Sequence, residues 1–135
     1  MGKTRSELRE KAMVILYQMD ILKNNKVDFS VEDLILENLE VDNEFVRNIV
    51  YGVITHMDDI DNLANKHMKN WDITRIDKTG AAILRMGIYE LLYEDDTPNI
   101  VAINEAVELA KKYSDDKIVK LINAVLDKIR DEVEE

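Results

Sequence analysis

The sequence predicts an all-α fold, a compact bundle of about seven helices, on three observations. Proline occurs once and glycine four times in 135 residues. No run of β-branched or aromatic residues alternates at period two, whereas apolar residues recur at the three-and-four spacing of amphipathic helices. Residues 79 to 93 leave almost no polar face, because Ala81, Ala82, Ile83, Leu84, Met86, Ile88, Leu91 and Leu92 encircle the helix. A helix apolar all round must be surrounded by others, so this one is the expected centre. Its only polar strip is Arg85 and Tyr89, at i and i+4, with Lys78 seven residues before Arg85. That strip is expected to reach the surface.

The elements follow in order. Thr4 to Leu22 reads as an amphipathic helix, with Thr4 as N-cap and Glu7 at the spacing of a capping box. Leu8, Ala12, Ile15, Leu16, Met19 and Leu22 form its core stripe. Lys3, Arg5, Arg9 and Lys11 cluster at the edge of that stripe and outnumber Glu7 and Glu10. Val14 and Ile21 fall on the opposite side, a second contact face for which a homodimer is the candidate use. Lys23 to Lys26 make a turn, and Ser30 caps a short helix carrying Val31, Leu34, Ile35 and Leu39. Asp42 or Asn43 caps the next, whose core positions are Phe45, Val46, Ile49, Val50 and Val53. Gly52 interrupts that pattern at a cost of about 1 kcal/mol relative to Ala, so a neighbouring helix is expected to approach it closely.

Asp58, Asp59 and Asp61 open the helix of Ile60, Leu63, Ala64 and Met68, where carboxylates suit the positive N-terminal end. Trp71 precedes a short connection to the central helix and is expected to anchor packed helices. Asp95 to Pro98 form a sharp stop, with Pro98 in the first turn of a helix that turns Ile103, Ala106, Val107 and Ala110 inward. Asn104 is expected to bridge helix backbones, and Glu105 and Glu108 to face water. The last helix, about Asp115 to Glu132, packs Ile118, Leu121, Ile122, Val125, Leu126 and Ile129, and its acidic end is expected to fray.

One domain accommodates this length. Without cysteine there are no disulfides and no thiolate metal sites, consistent with a reducing compartment. No segment has the length and apolarity of a signal peptide or membrane span, so a cytoplasmic protein is expected. A net charge of -10 disfavours indiscriminate polyphosphate binding, and any nucleic-acid site must be a local basic patch. The two histidines, His56 and His67, would stand about 16 Å apart along a continuous helix, too far to share a metal. No Gly-rich phosphate loop and no nucleophile–base pair is present, so neither a cofactor nor catalysis is expected.

Taken together, the ordered motifs resemble the NusB family of bacterial transcription antitermination factors over nearly the full length. The resemblance is carried by Leu8 to Ala12 followed by Leu16-Tyr17-Gln18, by Trp71 with Arg75, and by Ile83-Leu84-Arg85 followed by Tyr89-Glu90-Leu91. It continues through Val101 to Lys111, which contains Ile-Asn-Glu-Ala-Val-Glu-Leu-Ala-Lys, and through Asn123 with Val125 to Lys128. It implies two packed helical subdomains, about 1–56 and 57–135. It also implies recognition of boxA-type single-stranded RNA in ribosomal transcripts, together with the ribosomal protein NusE and the RNA polymerase antitermination complex. By this likeness Arg5 and Arg9, within the Lys3 to Lys11 cluster, together with Lys120 and Asn123, contact RNA. Arg85 and Tyr89, with Lys78, mark the protein-partner edge.

This sequence departs from the family pattern at Ser6 and Glu7, where relatives carry further arginines, and at Leu121, where an aromatic residue is common. Gly80 stands for an acidic residue and Ala124 for a glycine. The alternative reading is a protein-interaction module with weak or no RNA binding of its own. A third, kinship with rRNA methyltransferases bearing a NusB-like domain, would require a second polypeptide for catalysis.

Overall fold

The structure is a computed structural model that describes residues 3–135. Its elements are α1 (Arg5–Asn24), α2 (Val31–Asn38), α3 (Glu44–Thr55), α4 (Met57–Lys66), α5 (Lys78–Tyr93), α6 (Asn99–Tyr113) and α7 (Asp116–Val133), with no strand among the described residues. Local chemistry fixes the helix starts. Thr4, Ser30, Asn43, Asp77 and Asp115 each accept a hydrogen bond from a first-turn backbone N–H, satisfying donors that a helix cannot pair internally. Thr4 also donates from its hydroxyl to the Glu7 carboxylate at 3.2 Å.

Helix α5 is the centre, as its composition requires. Every residue from Gly80 to Leu91 is buried, and α5 packs against α1, α3, α4, α6 and α7, while α2 lies on α1. Glycine permits two of these approaches. A Cβ on Gly52 of α3 would overlap the Tyr89 ring, and one on Gly87 would lie 2.9 Å from Leu126 of α7. The expected packing role of Gly52 is therefore met by an aromatic side chain of α5.

The core stripe of α1 appears as read, with Leu8, Ala12, Ile15 and Leu16 buried and Met19 and Leu22 packed against them. Val14 and Ile21 are half-buried within the monomer. Three expectations differ in the later helices. Pro98 occupies the N-cap of α6 rather than its first turn. Asn104 is exposed instead of lying between backbones. α7 stays helical through Val133, with Arg130 in its last turn 3.7 Å from both Asp127 and Asp131 and Glu132 reaching Lys66 and His67 of α4 and its end. A cation in the last turn opposes the unfavourable alignment of the acidic end with the helix dipole.

Candidate nucleic-acid interface

The basic cluster at the chain start divides into two kinds of residue. Arg5 is exposed, with its guanidinium 4.4 Å from the Phe45 ring centroid. Lys3 is also exposed and Lys11 half-buried. Arg9, expected at the edge of the α1 stripe, instead lies inside it at 3% exposure. Its Nε donates to both Glu90 oxygens at 3.0 Å, and its Nη2 donates to Glu90 Oε1 at 2.8 Å. Glu105 approaches Arg9 Nη1 at 3.8 Å. The correction has a physical reason: a guanidinium next to a buried carboxylate on α5 is satisfied where it stands, and extracting it would strand Glu90 without a partner. Burial pushes the Glu90 carboxyl above the usual carboxylate range, against the downward pull of Arg9.

The departures at Ser6 and Glu7 acquire structural roles. The Ser6 hydroxyl lies 2.7 and 2.9 Å from the two Glu105 oxygens, so Glu105 is engaged by α1 rather than simply facing water. Glu108 is exposed and reaches Lys111 at 3.3 Å, as expected for the solvent side of α6. Between α1 and α6 lies a groove of about 510 Å³, lined in part by Glu7, Glu10, Glu105 and Glu108.

α1 meets the end of α6 where Lys112 donates to both Glu10 oxygens at 2.9 and 3.1 Å and Tyr113 donates its hydroxyl proton to the same carboxylate. The Lys112 amine also stands 5.4 Å from the Tyr113 ring centroid. Sequence reasoning left out these two residues, although a Lys-Lys-Tyr run at a helix C-terminus combines cations with an aromatic face. One corner later, Ser114 donates to Asp77, tying the start of α7 to the start of α5. Lys120 and Asn123 are exposed on α7. The last turn of α6 is thus tied to α1 through Glu10, while Lys120 and Asn123 lie on the exposed side of the following helix. Leu121, half-buried, packs against the core, and Ala124 is exposed.

The second expected site, the α5 strip, is not a free surface. Arg85 is 8% exposed; its Nε and Nη2 donate to the two Asp61 oxygens at 2.8 and 3.1 Å, and its Nη1 lies 3.5 Å from Asp20. Burial works against its charge, yet the Asp61 bonds and the nearby Asp61 and Asp20 carboxylates outweigh it and raise its pKa. Lys78 shares Asp20 at 3.7 Å. Tyr89 is 8% exposed over Gly52, and burial raises its phenol pKa. The strip was expected to reach the surface because i, i+4 spacing reveals a common face but not the acids that cover it. Arg85 and Asp20 do border an apolar groove of about 410 Å³ whose walls include Leu16, Met19, Phe29 and Met57. Gly80 is buried as well: a Cβ there would lie 2.7 Å from Asp77 Oδ1 and 2.9 Å from Ile118 Cγ2.

The histidines serve packing. His56 caps the junction of α3 and α4 and stacks on Tyr93 with centroids 3.8 Å apart; His67 ends α4 with Nε2 2.9 Å from Glu132. No group of side chains able to hold a metal occurs among the described residues, and no described helix is long and apolar enough to cross a membrane.

The NusB family model matches residues 6–131. The transcription antitermination protein NusB of Bacillus velezensis is 40% identical over 133 residues, covering 96% of this chain and 98% of the relative. Its counterpart in Nitratiruptor sp. is 45% identical, with 96% and 94% covered. Among solved structures, T. maritima NusB superposes with a TM-score of 0.87 at 28% identity, covering 98% of this chain and 94% of that one. The antitermination factors NusB and NusE in complex with dsRNA give a TM-score of 0.82 at 27% identity over 98% and 99%. A match along the whole seven-helix chain, by sequence and by shape alike, means that this chain belongs to the NusB family.

Proposed function

We propose that the protein is a cytoplasmic, non-catalytic transcription antitermination factor that binds boxA-type single-stranded RNA together with the ribosomal protein NusE. The observation carrying this reading is the near-complete overlap with a NusB that was solved with NusE and dsRNA. The exposed cations support it. Arg5 and Lys3 stand at the start of α1, Lys112 and Tyr113 join that helix to the end of α6, and Lys120 and Asn123 follow on α7. Cations of this kind neutralise phosphates and release counterions, which is how a chain of net charge -10 binds RNA through one face. Arg9 contributes by holding α1 to α5 through Glu90 rather than by touching phosphate. On the partner side, Arg85 and Lys78 act through the Asp20 and Asp61 carboxylates they position.

The test is binding to a boxA-type RNA and to a scrambled control, each with and without NusE, over a salt series. Preference for the boxA-type RNA, increased by NusE, is expected. Equal affinity for both RNAs under every condition refutes the reading. Tight NusE binding with no RNA-dependent gain favours the interaction-module alternative, for which the carboxylates lining the α1–α6 groove are the motivating observation.

A further inference from the structure

Trp71, the single tryptophan of the chain, lies in the connection between α4 and α5, half-buried against the core. The Lys117 amine stands 4.7 Å from its ring centroid. Lys117 is exposed and Trp71 half-buried, so the ring that the amine covers lies at the margin of the core rather than within it. Lys117, Lys120 and Asn123 follow one another at i, i+3 and i+6 across the solvent side of α7, opposite the buried Ile118, Ile122, Val125 and Ile129. The row assigned above to RNA therefore runs back along α7 onto the indole.

The charges around this end are available. Lys69, Arg75, Lys117 and Lys120 are all exposed, and none has a carboxylate within ion-pair distance among the described residues. Two nearby acids are engaged locally: Asp72 accepts from the Thr74 backbone N–H and hydroxyl at 2.9 and 2.6 Å, and Asp115 accepts from the Ile118 N–H at 2.9 Å. Local bonding does not erase their charge, but it fixes where that charge points.

We propose that Trp71 is a base-stacking platform for single-stranded RNA, exposed when Lys117 swings from the ring to a neighbouring phosphate. It extends the Lys120–Asn123 end of the binding strip and supplies an aromatic face that Leu121 does not. The exchange is favourable in kind: a base stacks on an indole more strongly than an exposed ammonium holds to it, and the released ammonium gains a phosphate. The inference rests on the RNA-binding reading above.

Because there is one tryptophan, its emission reports on the ring directly. The probes are a boxA-type RNA of about 12 nucleotides, within the range of single-strand site sizes, and an abasic oligomer of equal length. Both carry a terminal dye for an independent anisotropy measurement. With the RNA, tryptophan emission should fall along the same concentration dependence as anisotropy rises; with the abasic oligomer, emission should stay constant. Trp71→Phe should retain most of the affinity, and Trp71→Leu should bind about tenfold more weakly. Anisotropic binding with unchanged emission, or equal quenching by the abasic oligomer, overturns the platform while leaving RNA binding intact. Absence of any anisotropy change with RNA refutes the RNA-binding reading itself, and the platform falls with it. Should Trp71→Leu fail to fold, wild-type emission with the two probes decides the question.

Discussion

Arg5 and Arg9 sit one turn apart on α1, yet their environments assign them opposite tasks. Arg9 is fully paired to Glu90, so Arg9→Ala leaves a buried carboxylate without its cation and should destabilise the protein by about 3–5 kcal/mol. Arg5 is exposed, so Arg5→Ala should change stability by no more than about 0.5 kcal/mol. Urea unfolding of the two variants checks this, and equal destabilisation would contradict the division. Arg9→Glu should consequently lose RNA and partner binding together, through damage to the fold.

The carboxylates also separate by environment. Glu90 is raised by burial, whereas Glu32, on the surface, is lowered by its bonds from Arg47 and Tyr51. The sign for Glu90 follows from proton linkage. Its native form keeps the proton to higher pH than the unfolded chain, so its favourable contribution is complete below the unfolded carboxylate pKa and is lost as pH rises through the native value. Glu32 behaves oppositely, contributing above the unfolded pKa and losing that contribution as pH falls through its lowered native value. Carboxyl-resolved NMR titration should place Glu90 above and Glu32 below the ordinary range, and Arg47→Ala should return Glu32 toward it. The reverse order would contradict the assigned causes.

At the scale of elements, helix-to-helix contact is set by where a side chain is missing. Tyr89 of α5 lies in the space that a Cβ on Gly52 would take. Gly52→Ala should therefore cost about 1–3 kcal/mol despite the better helix propensity of alanine, read as a lowered thermal midpoint; an unchanged or raised midpoint would show that the ring yields freely. The elements themselves were legible in the sequence. Caps at Thr4, Ser30 and Asn43, the last read as Asp42 or Asn43, and the all-round apolarity of α5 are local signals, and the helices begin and centre where those signals lie. The exposure of Arg9, Arg85 and Tyr89 was not legible, because it depends on Glu90, Asp61, Asp20 and Gly52. The acids paired to the two arginines are 81, 24 and 65 residues away in the chain, a relation that periodicity within one helix does not encode. Lys112 and Tyr113 escaped for the same reason: their partner, Glu10, is 102 and 103 residues away.

Over the whole molecule, the cations fall into buried ones enclosed by carboxylates, which hold α1 and α4 to α5, and exposed ones, of which Lys3 and Lys112 stand beside Glu7 and Glu10 while Arg5, Lys117 and Lys120 have no carboxylate within ion-pair distance among the described residues. That division reconciles a net charge of -10 with RNA binding. Internal pairing removes equal numbers of both signs and leaves the -10 excess in place, so RNA contact rests on a local strip of cations without a carboxylate in ion-pair distance among the described residues, Arg5 on α1 and Lys117 and Lys120 on α7. The central claim is that this strip, and not the buried arginines, meets the phosphates.

It is tested most directly by the salt dependence of RNA affinity for the wild type and for a variant carrying both Arg5→Ala and Lys120→Ala. Each phosphate contact removed should lower the slope of log affinity against log salt by about 0.7 on a single strand. The account predicts a slope smaller by about 1.4, by the same single-strand rule applied to two contacts, with the unfolding midpoint unchanged. An unaltered slope in a fully folded variant would place the RNA elsewhere and contradict it.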